Sequence, residues 1–191
     1  MSDKPVTIVI SDLHVGGGIH DPGDDHVYQG QQLIRFLEAI PEASQGKVEL
    51  FINGDFLEFA QVLPSAFTPT SPDFWCTQDE STNKLNAIIR GHNDIFAALG
   101  SFQKKGNQVT IAAGNHDVDL YWLAVQNRLR EVIHPDIKFE LGETVYYRYG
   151  TRLVIGHGHM YDPANRFKNW KDPFDKKHER LEMCPGTLFM V

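Results

Sequence analysis

Cysteine is scarce: Cys76 and Cys184 are the only two in 191 residues, too few for a disulfide-built scaffold, and they read as ordinary thiols. Long apolar runs are absent as well. No stretch approaches the roughly 20 residues that cross a bilayer. The opening "MSDKPVTIVI" lacks a basic n-region, a long apolar h-region and a small-residue cleavage site, so export is not expected and a cytoplasmic location is. Positive charge is in deficit, Lys+Arg 18 against Asp+Glu 25 for a net −7, and the overall balance gives no support to a nonspecific duplex-binding surface. Also missing are G-x-x-x-x-G-K-[ST], G-x-G-x-x-G and G-x-S-x-G, which removes the usual phosphate loop, the dinucleotide fingerprint and the serine nucleophile elbow. Glycines 16 to 18 therefore read as a flexible turn.

What is present is an α/β rhythm in a chain of the size of one domain, residues 1–191. "VTIVI" at 6 to 10, "KVELFI" at 47 to 52 and Gln108 to Ala113 are short apolar runs bounded by turn residues, as buried strands require. Apolar residues recur at helical spacing between Tyr28 and Ile40, before Pro41, and from Thr82 to Gln103, with Ser81 or Thr82 as cap and Gly106 as stop. Val118 to Arg130 is expected to be helical, and Thr144–Tyr149 with Arg152–Ile155 to form a hairpin turning at Gly150-Thr151.

Each of the first three predicted strands ends in a polar cluster: "SDLH" at 11 to 14, "NGD" at 53 to 55 and "GNHD" at 114 to 117. In a mostly parallel sheet these ends lie together, where open α/β folds bind ligands. Asp12 and His14, two apart in an extended backbone, leave one face and offer an oxygen and a nitrogen to one cation. Asp55 follows a glycine at the next strand end and can bridge two ions about 3.5–4 Å apart. Asn115 offers a neutral carbonyl oxygen to the second ion, and His157, after the strand "RLVIG", an imidazole. His116, beside a ligand, points elsewhere.

These motifs, in this order, resemble those of the calcineurin-like metallophosphoesterase family, D-x-H, G-D, G-N-H-[DE], H and G-H-x-H. The matching residues are Asp12 and His14, Gly54 and Asp55, Gly114 to Asp117, and His157 in "IGHGHMYD". Glu58, where many members carry aspartate, is similar to the branch containing UDP-2,3-diacylglucosamine pyrophosphatases. The resemblance implies a sandwich of mixed β-sheets flanked by helices. It implies two divalent ions, manganese first among Mn, Fe, Zn, Mg and Ni, that share a hydroxide able to attack phosphorus. His116 would stabilise developing charge or protonate the leaving group, and Asp117 would orient its ring. The substrate implied is a phosphorylated small molecule or nucleotide-type compound.

"GHGH" at 156 to 159 fits the last motif as text, but its separate preceding histidine would then be His134 in "VIHPDI", which ends no strand. His157 aligns better as the fourth motif. On that reading the final G-H-x-H is absent, the second sheet is expected to be incomplete, and His159 stands at even odds between ligand and packing. The competing reading is an impaired fragment or a protein-interaction module on the same fold.

Overall fold

The computed structural model describes residues 6–18, 30–44, 47–63 and 74–189. Strands β1 (Val6–Ile10), β2 (Val48–Asn53), β3 (Gln108–Ala112) and β4 (Lys138–Glu140) lie side by side in that order, every neighbouring pair parallel. Register pairs Ile10 with Ile52 and Asn53 with Ala112, so the first three strands end level. The chain continues that alignment past the strands, because Asp12 N–H donates to Gly54 O and His14 N–H to Asp55 O. Gly54 N–H in turn donates to Ala112 O, so three strand ends and the loops that leave them are zipped edge to edge.

The period of two along β2 separates two cores. Val48, Leu50 and Ile52 turn toward Val109, Ile111 and the helices α1 (Gly30–Ser44), α2 (Gln78–Gly91), α3 (Asn93–Lys104) and α4 (Leu123–Val132), which contribute Leu37, Ile88, Phe96 and Leu129. Phe51 and Ala112 face the other way, onto Tyr146 and Ile155 of an antiparallel hairpin, β5 (Tyr146–Arg148) and β6 (Leu153–Ile155). The expected architecture of mixed sheets with flanking helices is the one observed. Among the described residues no helix is long and apolar enough to cross a membrane.

Several local expectations are corrected. The single helix over 82–103 is two helices hinged at His92 (φ −133°, ψ 40°), and the N-cap is Thr77, which exchanges both capping-box bonds with Glu80. Gly91, the last residue of α2, is where the loop after β1 packs against the helix: a Cβ there would overlap Gly17 O. The first helix runs through Pro41 to Ser44. Val118–Tyr121 is a 3₁₀ turn ahead of α4, and β4 was not foreseen. A further hairpin, β7 (Phe174–Asp175) and β8 (Arg180–Leu181), follows late in the chain, pinned by Arg180 to Glu80 and to Trp75 O. His20, Asp24, Asp25, His26 and Phe67 lie outside the described residues.

One ion cluster clamps the two sheets together. Arg148 reaches across to Glu49, donating from Nε and Nη2, and its Nη2 also meets Glu140 at 2.6 Å. Burial works to raise the Glu49 pKa, but hydrogen bonds and charge from Arg148, with Thr7 and Thr110, hold it below the usual carboxylate range. Arg148→Met strands a half-buried carboxylate and is expected to cost roughly 2 kcal/mol, read from the urea midpoint at pH 7. A lowered carboxylate stabilises above its unfolded pKa, and that contribution is lost as pH falls through the folded value. The difference between wild type and variant should therefore shrink in acid.

Candidate metal centre

The centre stands on the three zipped loops. Asp12, His14 and Asp55 have φ of 56°, 46° and 51°, a left-handed region that costs a side-chain-bearing residue roughly 1–2 kcal/mol. The extended backbone expected between Asp12 and His14 is thus replaced by a strained one, and the side chains still converge: ligand atoms of Asp12, His14 and Asp55 lie within 4.8 Å of one another. Strain concentrated on candidate ligands is the pattern of a functional site. Gly114 completes the cradle, since a Cβ there would overlap Asp55 Oδ1.

Asp55 is the hub. Its Oδ1 accepts from His116 N–H at 3.0 Å, while Oδ2 lies 3.2 Å from His157 Nε2 and 3.8 Å from His14 Nε2. Both imidazoles are aimed by their other nitrogen. His157 Nδ1 sits 2.9 Å from Asn53 O, and His14 Nδ1 sits 2.7 Å from Glu58 Oε2. A carbonyl or an ionised carboxylate accepts only, so each Nδ1 carries the proton and each Nε2 is left for the shared carboxylate. Without a cation, that carboxylate draws a proton onto His157: burial opposes it, but the Asp55 hydrogen bond and charge push His157 up to about 9. Asp55 is itself held low by His157 and His116 against its burial.

Glu58, singled out in the sequence only as a branch marker, does more. Fully buried, it also lies 2.8 Å from His116 Nδ1, and despite the cost of burial the two histidines keep its pKa low. His14, Glu58 and His116 also form a compact donor group. Two ligands of a tetrahedral ion with bonds of about 2.1 Å lie about 3.4 Å apart, so contacts of 2.7 and 2.8 Å are hydrogen bonds rather than a shared coordination sphere. The His116 and His14 rings meet edge to face, centroids 4.5 Å apart. Burial works against protonation of His116, yet Glu58 raises its pKa.

The expected role of Asp117 is corrected. Its carboxylate does not orient His116, whose Nδ1 is engaged by Glu58. Asp117 is fully buried and accepts backbone N–H bonds from Gly114 (2.6 Å), Phe56 (2.9 Å), Asp55 (3.3 Å) and Leu57 (3.4 Å). Burial and the Asp55 charge push its pKa up to about 7 against those donors. It staples the Asp55 loop to the Asn115 loop.

Asn115 Nδ2 donates to Asn165 Oδ1 at 3.4 Å. The His159 ring is buried against Trp170, centroids 4.3 Å apart, and burial followed by the neighbouring His157 charge lowers its pKa to about 4. Trp75 likewise belongs to the core, with Nε1 on Asp119. The Glu58 role could have been suspected from its place three residues beyond Asp55. Nothing in the sequence marks Asp117 as a backbone staple.

The donors fit hard or borderline divalent ions, with carboxylate, amide oxygen and imidazole mixed on a rigid frame. A family model for the calcineurin-like phosphoesterases matches residues 6–186, and the chain belongs to that family. No match was found among curated proteins.

Proposed function

We propose that the chain hydrolyses phosphoester or phosphoanhydride bonds of phosphorylated small molecules or nucleotide-type substrates at a two-cation site, manganese being the first candidate. One ion would be held by Asp12, His14 and Asp55, the other by Asp55, Asn115 and His157. The observation that carries this reading is the Asp55 carboxylate, whose Oδ2 faces Nε2 of two histidines from different loops, each fixed in the metal-binding tautomer by its own acceptor.

When bound, a pair of divalent ions supplies Lewis acidity and a water of lowered pKa. The chain's own share is positioning and proton handling. Glu58 fixes the His14 ring and keeps a proton on His116 Nδ1, which leaves His116 Nε2 to give a proton to a departing alkoxide. Glu58 in "GDFLE" also supports the branch that contains UDP-2,3-diacylglucosamine pyrophosphatases.

Elemental analysis after manganese loading, with chromogenic phosphomonoester and phosphodiester assays on the same sample, tests the proposal. About two ions per chain and manganese-dependent turnover of at least one substrate are expected. A chain that binds no manganese and cleaves neither would leave the interaction-module reading.

A further inference from the structure

We propose that Asn165 is a positioning residue for the second cation, and that with Asp162 it forms a relay fixing which end of the Asn115 amide faces the metal. This rests on the two-cation reading above, and it concerns two residues that neither the motifs nor that reading assigned.

An asparagine can ligate a cation only through Oδ1, and its two side-chain ends are nearly equal in shape, so something must choose between them. Donor and acceptor chemistry makes the choice here. The Asp162 carboxylate only accepts, and its Oδ2 lies 2.6 Å from Asn165 Nδ2. That contact commits Asn165 to presenting Oδ1 on its other side, where Asn115 Nδ2 donates to it. With Nδ2 engaged, Asn115 is left with Oδ1 for the ion. A cation on that oxygen polarises the amide and strengthens the N–H it gives to Asn165, so the relay and the ion reinforce one another.

The relay is anchored independently of the metal. Asp162 Oδ1 accepts from Ala164 N–H at 3.0 Å, and Asp162 O accepts from Asn165 and Arg166 N–H at 3.1 and 3.0 Å, so the loop "DPAN" is closed on itself. From the far side the 3₁₀ turn Pro185–Phe189 is pressed onto it. Gly186 N–H donates to Ala164 O at 2.6 Å, and a Cβ on Gly186 would lie 2.7 Å from Asn165 Oδ1. The last described turn of the chain therefore fits against the oxygen that orients Asn115.

Exchange of the two residues separates orientation from mere support. Asn165→Asp sets a carboxylate against the Asp162 carboxylate at a 2.6 Å contact. Asp162→Asn lets the Asn165 amide turn over, which puts Nδ2 against Asn115 and drives its Oδ1 away from the ion. The double variant Asp162→Asn with Asn165→Asp restores every donor facing an acceptor: the new carboxylate takes the Asn115 N–H, and the new amide still accepts from Ala164.

The test is manganese binding to the full chain, followed by calorimetry and by the spin-resonance signal of free Mn2+, alongside thermal unfolding of the metal-free proteins. Each single variant should weaken the second ion by about 10–100-fold and leave the first in place, and the double variant should return to within a few-fold of wild type. Gly186→Ala, which crowds Asn165 without altering a polar group, should reproduce the single-variant loss. Singles that bind like wild type, or a double as weak as the worse single, would overturn the relay. Failure of the wild type itself to bind manganese would instead overturn the two-cation reading and take the relay with it.

Discussion

Asp55→Asn is expected to drop manganese from about two ions per chain to fewer than one and to lower hydrolysis at least ~10³-fold. The fold should survive, because an asparagine oxygen can still accept the His116 N–H that Asp55 Oδ1 accepts now. What cannot survive is the oxygen at Oδ2, 3.2 Å from His157 Nε2 and 3.8 Å from His14 Nε2. An amide placed there points N–H donors at both lone pairs and removes one of the negative charges that would offset the two proposed dications. The same change erases a pH dependence. In the metal-free wild type Asp55 lifts His157 to about 9 against its burial, so an incoming ion must displace a proton, and below that pH affinity should rise about tenfold per pH unit. For stability the sign is opposite. A raised histidine stabilises the metal-free fold below its unfolded pKa, and this is lost as pH rises through about 9. Manganese titrations for the first slope and thermal unfolding of the metal-free protein for the second, at several pH values up to about 9, should show both in wild type and neither in that range in Asp55→Asn; a variant that keeps both ions would show that Asp55 does not bridge.

The parts of the centre that were legible in the sequence are those where a strand ends. Val6–Ile10, Val48–Asn53 and Gln108–Ala112 announce themselves by apolar runs broken at serine, asparagine or glycine, and parallel pairing then brings "SDLH", "NGD" and "GNHD" to one edge. Features that depend on one backbone meeting another were not legible. The close approach of Gly17 to Gly91, next to the break at His92, joins two distant stretches of backbone, and no local signal distinguishes Gly91 from a tolerated glycine. β4 is three residues long, too short for alternation to show. The left-handed backbone at Asp12 and His14 is one that aspartate and histidine adopt more readily than most residues, but no local signal marks it here, and it goes with the bonds to Gly54 O and Asp55 O, which lie far along the chain. Asp117 shows the limit most clearly: the motif suggests a partner for His116, while the fold uses its carboxylate for four backbone N–H groups.

Glu58 and His116 give the second large effect, and the two should fail differently. His116→Ala removes a proton donor and is expected to lower kcat about 10²–10⁴-fold with manganese stoichiometry unchanged, since the His116 Nδ1 meets Glu58 and its ring lies beside His14 rather than in the Asp55 group. Glu58→Gln should lower both. Glu58 Oε2 faces the Nδ1–H of His14 at 2.7 Å and of His116 at 2.8 Å. A neutral amide has one accepting oxygen: at the Oε2 position it still takes both N–H groups but turns its NH2 onto His116 Nδ1 and Gln61 N–H, and at the Oε1 position it turns its NH2 onto both imidazoles, whose protons must then move to Nε2. On His14 that shift consumes the lone pair meant for the cation, which should weaken the first ion about 10–100-fold. On His116 it removes the partner that raises its pKa. A rate that needs protonated His116 falls as pH climbs through that raised value, so the alkaline limb of kcat should move toward acid in Glu58→Gln. Equal loss of metal and turnover in His116→Ala would make His116 a ligand, and Glu58 would then be holding two ligands in place rather than one ligand and one acid.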